Sequence, residues 1–168
     1  VSDVFIYLGN AYYRLQNYQK SLNYYRIATE WSPKSSGSPD YDLAYRQALN
    51  ALYQAQSHFA TAQYHNQPQG YDQGIALAKN ALSYFISQKS NPRVQNPIRS
   101  TTNMLASFYR EQQQYDSTLH YLSLALSYQN EVSTLVIRTY NRLGDTYTLM
   151  QRYPEAQQAF QQSLQLAA

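Results

Sequence analysis

The sequence predicts an all-α protein built from about four helix pairs that stack on one another. The main observation is that two distant segments repeat with identical internal spacing, and that their large side chains recur at helical intervals. One helix pair cannot bury its apolar face alone, so pairs of this kind are expected to stack. The first segment reads Phe5-x-x-Leu8-Gly9-x-x-Tyr12, then Tyr18, Ser21, Tyr25 and Ala28, and the second reads Tyr140-x-x-Leu143-Gly144-x-x-Tyr147, then Tyr153, Ala156, Phe160 and Ser163.

Each position in the first segment has a physical reason. Gly9 leaves room for a neighbouring helix to approach closely, and Asn17 is suited to cap the second helix of the pair. Tyr25 lies on the buried stripe of that second helix, where small Ser21 is expected to accept a large side chain from the facing helix. Pro33 then ends the helix, because proline has no backbone N–H to donate.

The other two helix pairs depart from this pattern. The third copy has Ala106 in place of glycine and Leu122 in place of the later aromatic residue. The second has a first helix of about 24 residues and an enlarged turn at 65–70. Loops are expected at 32–39 and 89–97. The eight predicted helices cover about residues 2–15, 18–31, 41–64, 71–88, 97–112, 115–128, 131–150 and 153–167.

The pattern resembles the tetratricopeptide repeat, a helix pair of about 34 residues with large-x-x-Leu-Gly-x-x-Tyr, then small-x-x-x-aromatic, Ala and a closing Pro. This resemblance implies a right-handed α-α superhelix forming one domain, 1–168, with repeats at about 2–35, 41–90, 97–130 and 131–168. The stretched repeats look like those of bacterial signalling and regulatory members of the family. Because the sequence begins at Val1, we expect it to be part of a longer protein or a mature chain whose leader has been removed.

Composition narrows the possible functions. Hydrophobic residues make up 43% and charged residues 14%, which is too apolar for a disordered chain, and no stretch predicts a membrane span. The net charge of +3 is mild, and the basic residues between 73 and 110 are scattered, so we do not expect nucleic-acid binding. There are no cysteines. The compartment stays open between the cytoplasm and, for a membrane-bound sensor, the periplasm.

No constellation predicts an enzyme. His58, His65 and His120 provide too few ligands for a metal site, and the ten acidic residues are dispersed. No phosphate-binding loop or nucleophile elbow occurs. We therefore expect neither a cofactor nor a metal. Of the 19 tyrosines, seven fall on repeat positions, where a core or inter-repeat packing role is expected: Tyr12, Tyr18, Tyr25, Tyr109, Tyr115, Tyr147 and Tyr153.

The resemblance implies that the first helix of each pair lines a concave groove that binds partners. Asn10 and the pair formed by Arg138 and Arg142 match parts of a clamp that some relatives use to hold a carboxylate, but Ile6 stands where the clamp has lysine. The predicted partner-binding residues are Asn10, Tyr13, Arg14, Asn103, Arg110, Arg138, Asn141, Arg142 and Asp145.

The predicted function is a scaffold that binds a protein or peptide in this groove. The alternative is a sensor or regulatory input domain of a bacterial signalling protein, such as a histidine kinase or a transcription regulator. Leu164 and Leu166 on the last helix would need cover, so we expect either that further chain follows in the parent protein or that two copies pair as a homodimer through that helix.

Overall fold

The computed structural model describes residues 2–31, 41–66, 70–128 and 134–167, and the described residues confirm the all-α class. They form eight α-helices and a short 3-10 helix, Pro92–Val94, with no strand among them. The α-helices are α1 Ser2–Arg14, α2 Tyr18–Glu30, α3 Tyr41–His65, α4 Gly70–Ser87, α5 Gln95–Glu111, α6 Tyr115–Ser127, α7 Thr134–Leu149 and α8 Tyr153–Ala167.

The chain divides into two compact units, Val1–Gln88 and Lys89–Ala168. The first contains α1 to α4 and the second contains α5 to α8. Within each unit, consecutive helices pack as pairs, and α2 packs on α3 as α6 packs on α7. The single-domain organisation of 1–168 stays a prediction.

The predicted helix limits agree with the observed ones to within about three residues wherever both are described. The exception is the loop expected at 89–97. Here Pro92–Val94 is helical and α5 begins at Gln95, since proline is tolerated in the first turn of a helix and Pro97 occupies that turn. The loop expected at 32–39, the helix stop assigned to Pro33 and residues 131–133 of the seventh predicted helix lie outside the described residues.

Three of the turns between paired helices are built identically. Gln16, Gln113 and Gln151 follow the first helix of a pair and have φ angles of 58°, 59° and 59°. In the first copy the N–H of Asn17 donates to the carbonyl of Tyr12 at 2.9 Å, and the other two turns repeat this bond. This is the left-handed helix end that reuses otherwise unpaired carbonyls. Asn17 also caps α2 as predicted, because its Oδ1 accepts from the Lys20 N–H at 3.2 Å.

The glycine positions fulfil the predicted role of permitting close approach. A Cβ on Gly144 would lie 2.5 Å from two ring carbons of Phe160, and a Cβ on Gly9 would overlap the ring of Tyr25. In the third copy Ala106 and Leu122 replace this pair, and both are buried. The smaller Leu122 side chain therefore leaves the room that the Ala106 methyl group needs.

The buried hydroxyl of Ser21 lies 3.0 Å from the Ser57 hydroxyl, so α2 and α3 meet there through a hydrogen bond. The large side chain expected to pack on Ser21 stays a prediction. Tyr153 is not a core residue, because 62% of it is exposed. Tyr25, in contrast, is 1% exposed and stacks on Tyr53 of α3 with ring centroids 5.7 Å apart.

Candidate functional site

A polar face of the second unit is built where α5 and α7 pack together. Arg142 lies at its centre on α7 and is only partly exposed. Its Nη1 donates to the Asn103 carbonyl and to the Ser107 hydroxyl of α5, both at 2.8 Å. The guanidinium is therefore held in one place by two bonds to the neighbouring helix.

Asn103 and Thr139 join the two helices beside Arg142. The Asn103 Nδ2 donates to the Thr139 Oγ1 at 2.9 Å and to the Arg99 carbonyl at 2.9 Å, and Asn103 is only 6% exposed. The Thr139 hydroxyl donates in turn to the Leu135 carbonyl at 2.7 Å. The Asn103 side chain thus fixes α5 against α7, which is a positioning role for a residue that the sequence predicted as a partner contact.

Positive charge accumulates at this face. Burial lowers the pKa of Arg142, the charges of Arg110 and Arg138 lower it further, and Asp145 acts in the opposite direction. Arginine nevertheless stays protonated in proteins, so the site carries a fixed cation with reduced hydration. In the part of the chain that the structure describes, no carboxylate lies within 4.0 Å of the Arg142 or Arg138 guanidinium.

The surroundings of Arg142 are a small polar pocket with an exposed margin. Arg110 is partly exposed and its Nη2 lies 3.4 Å from the Glu111 carboxylate. Arg138, Asn141 and Asp145 are exposed on α7. The pocket is lined by Ala106, Ser107, Arg110, Thr118, Leu122, Arg142 and Thr146.

The predicted site residues of the first unit form a separate surface on α1. The Tyr25 hydroxyl donates to Asn10 Oδ1 at 2.7 Å, so the amide of Asn10 is held in a fixed orientation. Tyr13 packs on Tyr18 with ring centroids 5.4 Å apart, and burial raises its pKa, with a smaller contribution from Tyr18. Arg14 is exposed. The residues that match parts of the carboxylate clamp are thus divided between the units: Asn10 lies in the first unit, and Arg138 and Arg142 lie in the second.

The structure adds residues that the sequence analysis did not single out. Thr139 and Thr146 lie seven residues apart on α7, on the same side as Arg142, and both are buried. The Thr146 hydroxyl donates to the Arg142 carbonyl at 2.7 Å. The sequence contained a signal for these residues, because positions i, i+3 and i+7 share one helix face. On α7 that face combines Thr139 and Thr146 with Arg142.

Metal binding and membrane insertion have little support among the described residues. They contain no group of three or more histidine, cysteine, aspartate or glutamate side chains arranged to hold a metal ion. Burial lowers the pKa of His58, which lies on α3. No helix within the described ranges is long and apolar enough to cross a membrane.

The fold and this face define a class: an all-α helical repeat protein with a polar surface on the first helices of its pairs. Two family models, both described as "Tetratricopeptide repeat", match residues 2–35 and 98–168. The chain belongs to the tetratricopeptide repeat family. Repeats of this family are in general non-catalytic, protein-binding scaffolds, and the chain has that architecture.

Solved structures of helical repeat proteins are similar to this chain. The crystal structure of BtubC (BKLC) from P. vanneervenii has a TM-score of 0.76 at 16% identity, covering 99% of this chain and 63% of that one. The chain therefore spans less than two thirds of BtubC. The apo form of RapI has a TM-score of 0.44 at 15% identity, covering 99% of this chain and 70% of that one. No curated protein sequence matches the chain significantly.

Proposed function

We propose that the α5–α7 face of the second unit binds an acidic segment of a protein partner. The observation that carries this proposal is Arg142, a partly buried guanidinium with no carboxylate within 4.0 Å among the described residues. Removing a cation from water costs free energy unless an opposite charge or hydrogen bonds compensate it. Among the described residues, two neutral acceptors, on Asn103 and Ser107, and the more distant charge of Asp145 compensate this cation in part.

A carboxylate fits the remaining donors. Arg142 uses Nη1 for its bonds to α5, and its other nitrogens have no acceptor in the described part of the chain. Guanidinium groups bind carboxylates through charge-assisted hydrogen bonds, which are stronger than neutral ones. A bound carboxylate would also reduce the mutual repulsion of Arg110, Arg138 and Arg142.

The exposed residues around Arg142 would hold the rest of the segment. Asn141 has an amide that can donate to and accept from a peptide backbone. Asp145 would disfavour a second acidic group at its end of α7 and so fix the direction of the segment. In the first unit, Asn10, Tyr13 and Arg14 remain predicted partner contacts.

The test is binding of the whole chain to an array of immobilised octapeptides. The array contains acidic, neutral and basic sequences, each with a free and an amidated C-terminus. We expect retention of acidic peptides that weakens as salt is raised. Dissociation constants for the retained peptides are then measured by fluorescence anisotropy.

The discriminating variant is Arg142→Gln, which can keep a hydrogen bond to α5 but has no charge. A charged hydrogen bond contributes about 1.5–3 kcal/mol, so the variant should bind acidic peptides roughly 10- to 100-fold more weakly. Arg26→Gln is the matched control, because Arg26 is an exposed arginine of the first unit, paired with Glu30 at 3.8 Å. Equal affinity of Arg142→Gln and the unmodified chain, with circular dichroism unchanged, would refute the proposal.

The alternative role as a sensor or regulatory input domain would place the same face inside a signalling protein. In that case the acidic segment would belong to another part of the parent protein. The gene sequence on either side of these 168 residues distinguishes the two roles, since a kinase or DNA-binding module there would favour the alternative.

A further inference from the structure

In the first helix pair, the ring of Tyr24 on α2 stacks on two rings of α1. Its centroid lies 6.5 Å from that of Phe5 and 5.2 Å from that of Tyr12, and the ring planes differ by 18° and 8°. Phe5 and Tyr12 are seven residues apart, which is roughly 10.5 Å along the helix axis. Tyr24 therefore lies between these two rings and fills the space that separates them.

The third helix pair repeats one of these stacks. Tyr121 of α6 follows Tyr109 of α5 by twelve residues, as Tyr24 follows Tyr12. The rings of Tyr121 and Tyr109 have centroids 5.5 Å apart and planes that differ by 4°. A tyrosine at this position of the second helix thus stacks on the first helix in both pairs, and such stacking stabilises a ring beyond the burial of its area.

The fourth helix pair has the two receiving rings without the tyrosine between them. At a spacing of 135 residues, Tyr140 and Tyr147 of α7 correspond to Phe5 and Tyr12, but Ala159 of α8 corresponds to Tyr24. A cleft of about 330 Å³ opens at this place, and Tyr140, Tyr147 and Ala159 line it. We call it the α7–α8 cleft. It lies where the first pair holds a tyrosine ring.

The α7–α8 cleft is on the opposite side of α8 from the exposed Leu164. Ala159 and Gln162 line the cleft, and they precede Leu164 by five and two residues. At 3.6 residues per turn, these separations correspond to rotations of about 140° and 200° around the helix. A segment packed on Leu164 would therefore leave the cleft open.

A cation already lies over the ring of Tyr147. The guanidinium carbon of Arg152 is 4.8 Å from the ring centroid, and Arg152 does not line the cleft. The first pair has the same combination, because the Lys20 ammonium lies 5.3 Å from the centroid of Tyr12 while Tyr24 stacks on that ring. The cation is thus compatible with a stacked tyrosine and strengthens the platform through its attraction to the ring.

The rim of the cleft is polar. Gln158 and Gln162 are exposed and line it together with Glu155, whose carboxylate accepts a bond from Arg152 at 2.9 Å. The two glutamine side chains have amide oxygens that can accept a hydrogen bond from a phenol hydroxyl. Because these rim residues face solvent, a side chain of another polypeptide can enter from that side.

We propose that the α7–α8 cleft binds a tyrosine side chain of a protein partner, stacked between Tyr140 and Tyr147 as Tyr24 is stacked in the first pair. Tyrosine is the residue that this chain itself places there in two other copies of the repeat. The family binds proteins in general, so the occupant is a side chain of a polypeptide. The proposal goes beyond the acidic-segment site, which uses α5 and α7 and contains none of the cleft residues.

Nuclear magnetic resonance titration of the isotope-labelled whole chain tests the proposal. The probe is an uncharged Gly-Ser peptide, blocked at both ends, with one central tyrosine. Its matched control has leucine in place of that tyrosine, and p-cresol represents a phenol outside a polypeptide. We expect the tyrosine peptide to bind with a dissociation constant of about 1 mM and to shift the signals of Tyr147 and Ala159, whereas the leucine peptide should not bind.

Two substitutions at Tyr147 test the stacking platform. Tyr147→Phe keeps the ring and should keep the affinity. Tyr147→Leu removes the ring and should weaken binding of the tyrosine peptide roughly 2- to 10-fold, which is the contribution of one aromatic pair. Arg142→Gln should bind this peptide like the unmodified chain, so failure of the acidic-segment site and failure of the cleft give different results.

A third substitution fills the cleft from within. Ala159→Tyr restores the residue found in the first and third pairs, so it should abolish peptide binding and raise the urea midpoint of unfolding. Gln161→Tyr is the matched control, because Gln161 is exposed on α8 and does not line the cleft, and it should keep the peptide affinity. Circular dichroism shows whether each variant is folded.

Four results would overturn the proposal. They are equal binding of the tyrosine and leucine peptides, binding of p-cresol without the tyrosine peptide, unchanged affinity in Tyr147→Leu, and unchanged affinity in a folded Ala159→Tyr. Absence of any binding by the tyrosine peptide would overturn it as well. If Ala159→Tyr does not fold, the comparison of Tyr147→Phe with Tyr147→Leu decides.

Discussion

Replacing Gly144 by alanine tests the close approach of α7 and α8. The added Cβ would lie 2.5 Å from the Cε1 and Cζ atoms of Phe160 and 2.7 Å from its Cδ1. Real Cβ atoms do not approach ring carbons so closely, so either the ring or the helix must move. Overpacking of this kind costs about 1–3 kcal/mol.

Helix propensity acts in the opposite direction. Alanine stabilises a helix interior by about 0.5–1 kcal/mol relative to glycine. The two effects together predict that Gly144→Ala lowers the free energy of unfolding by roughly 0–2.5 kcal/mol. Phe160 is 39% exposed, so its ring has room to turn outward, and this places the expected loss towards the lower end.

The third copy of the repeat provides the matched rescue. Ala106 faces Leu122 there, so Gly144→Ala combined with Phe160→Leu reproduces a pair that the chain already contains. Urea denaturation followed by far-UV circular dichroism gives the four stabilities of a double-mutant cycle. We expect the second substitution to cost less in the Gly144→Ala background than alone, with a coupling of about 1 kcal/mol.

Additive effects would refute this reasoning. If Gly144→Ala raised stability by the full propensity gain, the Phe160 ring would not restrict residue 144. If the loss of stability in the combined variant equalled the sum of the two single losses, packing would not explain why the third copy has alanine and leucine at these two positions.

The remaining predictions use the same denaturation assay. Gln151→Gly should raise stability by about 0.5–1 kcal/mol, because φ is 59° there and glycine adopts this conformation without strain, whereas Gln157→Gly inside α8 should lower it by about 1 kcal/mol. Burial raises the pKa of Tyr25 from 10.0 to about 12. The stability that the neutral Tyr25 hydroxyl contributes is therefore fully present below pH 10 and is lost as pH rises to 12. Tyr25→Phe should remove that alkaline loss of stability, which is on the order of 2–3 kcal/mol, and equal pH profiles for the two proteins would contradict the assignment.

Much of the fold was accessible from sequence because the repeat pattern is local. The spacing of Leu143, Gly144 and Tyr147 predicts a helix and its buried side without reference to any distant residue. The same rules failed at 89–97, where a loop was expected. Proline interrupts a helix interior but fits its first turn, and sequence alone did not show where the first turn of α5 begins.

The sequence predicted which residues belong to the candidate site, but not how far they are buried or which hydrogen bonds they make. Arg110, Arg138 and Arg142 were expected on one polar row because the family places first helices there. The partial burial of Arg142 against α5 depends on how closely the two helices approach. The hydrogen bond between Asn103 and Thr139, 36 residues apart in sequence, holds the helices at that distance. Helical periodicity concerns one helix at a time and therefore does not predict the distance between α5 and α7.

Burial in this protein depends on the neighbouring helix as much as on the residue itself. Tyr25, Leu122 and Phe160 occupy the same repeat position and are 1%, 0% and 39% exposed. The first two are covered by α3 and α7, whereas no described helix follows α8. A repeat position therefore predicts that a side chain is suited to a helix junction, and only the neighbour determines whether the junction is made. Phe160 occupies such a junction position, and its 39% exposure reflects the lack of a neighbouring helix on that side of α8 among the described residues.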